Sequence, residues 1–274
     1  DAHRRAEIHI HDLSMLTGYC AGWSLKQLIQ EGLGGIPGKI TSSPAGHLST
    51  LCNQMVNFLG IMQNEWAGAQ AFSSFDTYLA PFVKVDNLTQ KEVKQCIQSF
   101  IYGVNTPSRW GTQAPFSNIT LDWTVPKDLA DLPAIVGGKE MDFTYGDCKK
   151  EMDMVNKAFI EIMIEGDANG RGFQYPIPTY SITRNFDWSE TENNKLLFEM
   201  TSKYGTPYFS NYINSDMEPS DVRSMCCRLR LDLRELRKKS GGFFGSGEST
   251  GSVGVVTINL PRIAYLAADE ADFY

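Results

Sequence analysis

Apolar side chains recur every three or four positions in several stretches of the chain, and helix-capping chemistry brackets most of them. Ser24 and Gln27 have the form of a capping box, Leu25, Leu28 and Ile29 follow, and Gly32 supplies the stop. From His47 a long amphipathic run carries Leu48, Leu51, Met55, Leu59, Met62 and Trp66. Thr89 and Glu92 make a second capping box ahead of Val93, Cys96, Ile97, Phe100 and Ile101. Asp147 opens a strongly apolar helix through Met154, Val155, Phe159, Ile162 and Met163, ended by Gly166. Ser189 and Glu192 cap a helix bearing Leu196, Leu197 and Met200, with Gly205 as its stop. Pro261 suits the first position of a last helix, with Ile263, Leu266 and Ala267 behind it.

Between these helices the period changes to two. Ile119, Leu121, Trp123 and Val125 alternate with Asn118, Thr120, Asp122 and Thr124, which predicts a half-buried strand. Residues 173–183, 208–213 and 253–259 are further strand candidates, and Pro176 and Pro178 put breaks or an edge in the first. Strands alternating with helices predict an α/β fold with parallel pairing. No internal repeat or low-complexity linker divides the chain, so one α/β domain is the expected organisation.

Composition narrows the function. With 42% hydrophobic and 21% charged residues the chain is ordinary globular material rather than disordered. Its formal net charge of −7 leaves no basic stripe for a nucleic-acid backbone. No apolar run is long enough to span a bilayer, and Arg4-Arg5 is not followed by a signal-peptide core, so a cytoplasmic protein without membrane contact is expected. The chain opens at Asp1 and closes at Tyr274 inside a predicted helix with no stop signal, and it reads as a segment of something longer.

Single residues leave the chemistry open. Cys20, Cys52, Cys96, Cys148, Cys226 and Cys227 include no C-x-x-C pair, match no zinc template, and sit in a composition that argues against a disulfide framework. Cys52 and Cys96 fall on apolar helix stripes; Cys148 lies near a helix start, where the dipole can lower a thiol pKa, yet all three read as packing residues. The vicinal pair Cys226-Cys227 is uncommon, and on an extended segment only one of the two faces a given site. The glycine-rich stretch 241–252 lacks both phosphate-loop orders and reads as a connection. The cationic run Arg234, Arg237, Lys238 and Lys239 before it reads as a solvated face, with triphosphate contact as the alternative. His9 and His11 share a strand face but have no acidic or thiol companion at metal-ligand spacing, so no metal site is assigned and His11-Asp12 is given a hydrogen-bonding role.

As strings, the residues are more specific. His11-Asp12-Leu13 leading to Cys20, the segment from Gln63 to Phe72, Leu79 to Val83, Ser108 to Gly111 with Pro115-Phe116, Met225-Cys226-Cys227-Arg228, and Gly254 to Ala264 resemble, in order, the catalytic region of anaerobic (class III) ribonucleotide reductases. The resemblance extends over essentially the whole chain.

It implies part of a ten-stranded α/β barrel of the glycyl-radical enzyme type, with residues 1–274 a single segment of that catalytic barrel. The N-terminal nucleotide-binding cone and the C-terminal glycyl-radical region, with its zinc-binding cysteine pairs, lie outside it, so the segment is expected to be inactive alone. The implied reaction reduces ribonucleoside triphosphates to 2′-deoxyribonucleoside triphosphates anaerobically. In it Cys227 carries the thiyl radical, Cys20 delivers hydrogen on the opposite face of the sugar, and Cys226 falls on the variable position. His11 and Ser252 are the implied substrate-binding residues. Ser252 stands where many formate-using members carry Asn, so the implied reductant is formate or a thiol. Implied partners are a radical S-adenosylmethionine/iron–sulfur activase that generates the glycyl radical, ATP and dNTP effectors, and a second copy of the chain in a homodimer. The helix near Asn53 to Phe72, with the segment to Val83, resembles the dimer-interface and effector region. The alternatives are an acyl-cleaving glycyl-radical enzyme of the pyruvate formate-lyase type, or an inactive nucleotide-binding fragment. Cys20 separates them, because adjacent cysteines suffice for acyl transfer.

Overall fold

The computed structural model of the chain describes residues 1–15, 17–34, 41–107, 113–216, 222–224, 230–232 and 250–273. In chain order the elements are β1 (Ile8–Ile10), β2 (Ala21–Trp23), α1 (Leu25–Glu31), α2 (Leu48–Met62), β3 (Gln70–Phe72), α3 (Phe75–Val85), α4 (Gln90–Asn105), β4 (Ser117–Leu121), α5 (Lys127–Ala130), β5 (Pro133–Val136) and β6 (Lys139–Thr144). They continue with α6 (Lys149–Glu165), β7 (Ile177–Ile182), α7 (Glu192–Tyr204), β8 (Tyr208–Asn211), β9 (Val222–Ser224), β10 (Arg230–Asp232), β11 (Thr250–Gly251), β12 (Val256–Ile258), α8 (Leu260–Leu266) and α9 (Glu270–Phe273).

One sheet organises them, in the order β11-β2-β3-β4-β7-β8. The pairs β2–β3, β3–β4, β4–β7 and β7–β8 are parallel, and β11 closes one edge by pairing antiparallel to β2. This is the expected α/β class, each parallel step needing a crossover that the intervening helices supply. Alternation along the strands sorts their side chains. Phe72, Ile119, Leu121 and Tyr180 belong to the main apolar core with α2, α3, α4 and α6, while Asn118, Thr120, Thr179 and Ser181 lie on the opposite face.

That second face corrects one sequence expectation. The strand predicted as half-buried is buried at all five positions from Ser117 to Leu121, because an interior parallel strand is covered on both sides. It also ends early. The Asp76 carboxylate, near the start of α3, accepts hydrogen bonds from the backbone N–H of Asp122 (2.8 Å) and Trp123 (2.9 Å) and from Nδ2 of Asn156 (2.9 Å). These contacts turn the chain out of the strand, with Trp123 at φ 63° and its ring against Tyr180 and Phe186. Tyr180 in turn donates to Asn156 Oδ1 at 2.9 Å. Burial pushes the Asp76 carboxyl up from the ordinary range, and the N–H donors around it oppose that shift.

Other boundaries move for local reasons. The Thr89–Glu92 capping box forms with both halves present, a device worth about 1 kcal/mol. Ser24 caps α1 through the N–H of Gln27, but the Gln27 side chain reaches forward to Glu31, so the reciprocal half is missing. Thr191, not Ser189, caps α7. Asp147 accepts from the N–H and hydroxyl of Thr144, closing a turn before α6 starts at Lys149. Trp66 lies beyond the end of α2, not on its stripe. Pro178 sits inside β7, an interior strand, one residue ahead of the first β7–β8 pair at Thr179. No helix of the described residues is long and apolar enough to cross a membrane.

Replacing Asp76 with alanine strands several buried N–H donors at once, so Asp76→Ala is expected to lower the unfolding free energy by about 3 kcal/mol or more. Asp76→Asn, which keeps one acceptor oxygen, should lose less. Urea unfolding of both variants checks this; a loss under about 1 kcal/mol for Asp76→Ala would show that the cluster does not hold the end of β4.

Candidate active site

Cys20 stands immediately before β2 and is fully buried, with Ala69 and Tyr19 packed around it. The chain from the far end of the sequence fixes it in place. Its backbone N–H donates to Ser252 Oγ at 3.2 Å, the Ser252 N–H donates to the Cys20 carbonyl at 2.9 Å, and the Tyr19 N–H donates to the Ser252 carbonyl at 2.8 Å. Two predicted site residues that stand 232 positions apart are thus joined through two hydrogen bonds, with a third from the neighbouring Tyr19. The register follows from β11, which pairs Gly251 with Ala21 and Thr250 with Gly22.

His11 reaches this region less directly. Its segment pairs with β12, its N–H donates to the Val255 carbonyl at 3.0 Å, and Nε2 lies 2.8 Å from Thr257 Oγ1. Its ring is 6.4 Å from that of Tyr19, the neighbour of Cys20. The His9 ring meets it edge-on and His3 lies tilted against His9, but among the described residues no group of three or more His, Cys, Asp or Glu side chains is arranged to hold a metal. Cys226 and Cys227, together with Ser108 to Gly111, Arg234 to Lys239 and most of the glycine-rich stretch, lie outside the described residues.

Three glycines that sequence reasoning passed over shape the pocket around the thiol. A Cβ on Gly68 would fall 2.6 Å from Cys20 Sγ and 2.7 Å from the Tyr19 carbonyl oxygen. The Trp66 ring occupies the space a side chain would need at Gly18, and it lies 3.0 Å from where a Cβ of Gly251 would be. The string Trp66-Ala67-Gly68 contained the signal, but only the folded geometry shows that its small residue faces a sulfur.

The remaining cysteines are of a different kind. Burial pushes the Cys148 thiol up to about 12 and raises those of Cys52 and Cys96 as well, so none is a thiolate at neutral pH. The helix-start position of Cys148 does not overcome its desolvation.

At the carboxyl ends of β4 and β7 a cavity of about 410 Å³ opens, lined by Asp122, Thr124, Ser181, Thr183, Arg184 and Tyr212 among others. Cys20 lies at the opposite, amino-terminal end of the parallel strands. A groove of about 370 Å³ runs between α2 and α4, lined by Ser49, Cys52, Asn53, Val56, Gln95 and Ser99 among others.

Fold and site define a class: an α/β segment with a buried, clasped thiol beside an uncharged polar strip of sheet. The family model for anaerobic ribonucleoside-triphosphate reductase matches residues 1–274, and the chain belongs to that family. A curated relative, the anaerobic ribonucleoside-triphosphate reductase of Haemophilus influenzae, is 22% identical over 306 residues, covering all of this chain and 39% of the relative. Among solved structures, an anaerobic ribonucleotide reductase superposes with a TM-score of 0.71 at 22% identity, over 99% of this chain and 42% of that one. The anaerobic ribonucleotide reductase from Thermotoga maritima in complex with dATP and CTP gives 0.68 at 21%, over 99% and 45%. The chain therefore spans less than half the length of these proteins, and the structural likeness establishes the fold.

Because the methyl of Gly68→Ala would meet both a backbone oxygen and the Cys20 sulfur, that variant is expected to lose about 1–3 kcal/mol of stability. It should also change the rate at which Cys20 is alkylated. Gly46→Ala, where a Cβ meets nothing within 4 Å, should leave both unchanged. Equal behaviour of the two variants in thermal unfolding and thiol labelling would show that Gly68 does not set the thiol position.

Proposed function

We propose that this chain supplies the Cys20 and Cys227 portion of the active site in a complete anaerobic ribonucleoside-triphosphate reductase, reducing ribonucleoside triphosphates to 2′-deoxyribonucleoside triphosphates in the cytoplasm. The observation that carries the reading is the family match over all 274 residues, combined with a fully buried Cys20 whose backbone N–H donates to Ser252 Oγ. The surroundings of Cys20 fit radical chemistry, since a fully buried sulfur is shielded from dissolved oxidants and side reactions. A glycyl radical, held in a region outside this chain and generated by a radical S-adenosylmethionine/iron–sulfur activase, supplies the one-electron oxidising power.

Within this reading Cys227 is the thiol that takes up and returns the radical, abstracting the ribose 3′-hydrogen, and Cys20 delivers hydrogen to the other face after the 2′-hydroxyl leaves as water. Ser252 accepts from the Cys20 N–H, which leaves its own hydroxyl hydrogen able to donate to a substrate oxygen. His11, with Nε2 engaged by Thr257, keeps Nδ1 for the substrate. Formate or a thiol supplies the two electrons. Zinc belongs to the C-terminal region beyond this segment, as the nucleotide-binding cone belongs to the region before it. Residues 1–274 act as one piece of the catalytic barrel, and the exposed apolar side chains Val256, Ile258, Leu260 and Tyr265 on β12 and α8 are suited to receive its remaining strands. The groove between α2 and α4 borders α2, part of the region from Asn53 to Val83 assigned to the homodimer contact and the ATP and dNTP effector site.

In the full-length protein, activated anaerobically, Cys20→Ala is expected to keep the glycyl-radical signal in electron paramagnetic resonance while deoxynucleotide formation falls below detection. Normal turnover in that variant would sink the reductase assignment. Cys227→Ala should be inactive and Cys226→Ala active; the reverse result would move the radical site by one residue.

A further inference from the structure

On the sheet face that carries the Cys20 thiol, Gly22, Ala71 and Asn118 stand in register across β2, β3 and β4. Alternation puts Cys20, two residues before Gly22, on the same face, and its packing against Ala69, two residues before Ala71, agrees. Asn118 is thus two strands, roughly 10 Å, across from Gly22, with only Ala71 as floor between them. Its side chain is 2% exposed, yet Oδ1 has no hydrogen-bond partner. A buried carboxamide oxygen left in that state costs stability, so its retention calls for a partner supplied from elsewhere. Thr120, the next residue on this face, is already engaged by the Ser74 N–H at 3.1 Å.

The chemistry of the face says what kind of partner fits. Gly22, Ala71, Asn118, Thr120, Thr179 and Ser181 are all uncharged, and the last three offer only hydroxyls. A neutral polyol is matched by hydroxyl and carboxamide groups; a triphosphate is matched by arginine, lysine or helix N-termini, which this strip of the sheet lacks.

Resting on the proposed function, we infer that Asn118 is a substrate-binding residue whose carboxamide oxygen accepts a hydrogen bond from a ribose hydroxyl of the nucleotide held beside Cys20. The contact is made to the sugar, so it is independent of the base.

The test is equilibrium binding of CTP, 2′-deoxy-CTP and 3′-deoxy-CTP to the full-length protein without activation, so that no turnover intervenes. Asn118→Ala is expected to weaken CTP binding by about 3- to 10-fold. Wild type should lose a similar factor with one of the two deoxy analogues, and Asn118→Ala should lose none with that analogue. Asn118→Asp, which keeps an acceptor oxygen in place, should retain the discrimination. The thermal unfolding temperature of nucleotide-free Asn118→Ala should not fall, because its oxygen has no internal partner to lose. Three results would overturn the inference alone: unchanged CTP binding in Asn118→Ala, undiminished discrimination in that variant, or a lowered unfolding temperature with equal weakening toward all three nucleotides. A wild-type protein that binds no CTP would overturn the proposed function and this inference together.

Discussion

The clasp between Cys20 and Ser252 is the contact on which the arrangement of the site depends. It joins the start of the first parallel strand to a segment that arrives 232 residues later and runs the other way, through three hydrogen bonds involving backbone atoms of residues 19, 20 and 252. Because two of the three use only backbone atoms, they set a register that side-chain substitutions do not shift. The same segment continues into β12, which pairs with β1 and brings His11 against Thr257. One antiparallel edge on an otherwise parallel sheet thus gathers the ends of the described chain around a single sulfur.

Its position in the sheet is unusual for the class. Open parallel sheets bind ligands outside the carboxyl ends of their strands, where connecting loops are free to vary. Here that end holds the cavity beside Asp122 and Arg184, but the buried thiol is at the other end. The difference follows from β11. An edge strand running against the rest turns around where β2 begins, so polar backbone and a serine hydroxyl reach a place that in an all-parallel sheet would be a plain strand start. Glycines at positions 18, 68 and 251 make that approach possible, since a methyl at the first two would collide with Trp66 or with the thiol itself.

How much of this could be read in the linear chain depends on the range of the interaction concerned. The helices whose caps are local, such as the Thr89–Glu92 box and the Gly166 and Gly205 stops, stand where capping chemistry placed them. The short strands β2 and β3, with three residues each, carry too little periodicity to announce themselves, and helix α3 is concealed by Pro81 in its interior. Strand β4 shows the limit most clearly. The alternation of Asn118, Thr120 and Asp122 with Ile119 and Leu121 identifies the strand correctly, but polarity was taken to mean solvent, when it marks a second buried face. Its end was misread for the same reason: Asp76, about 46 residues earlier, captures the Asp122 and Trp123 N–H groups, and nothing local signals it.

Two buried polar groups in that region are treated in opposite ways. Asp76 is surrounded by donors from three elements, and its desolvation is offset by satisfied hydrogen bonds, so it acts as a fixed joint between α3, β4 and α6. Asn118, on β4 four residues before Asp122, is equally buried but its oxygen is unsatisfied. Burial alone would predict the same environment for both. The contrast lies in satisfaction and not in burial: the Asp76 carboxylate finds its donors within the fold, while Asn118, on the face shared with Cys20, keeps an open valence. Selection for stability alone would replace such an asparagine with an apolar residue of similar size, since nothing inside the described protein rewards its oxygen. A group left in that condition on the sheet face that carries the Cys20 thiol is suited to a partner that arrives with the substrate.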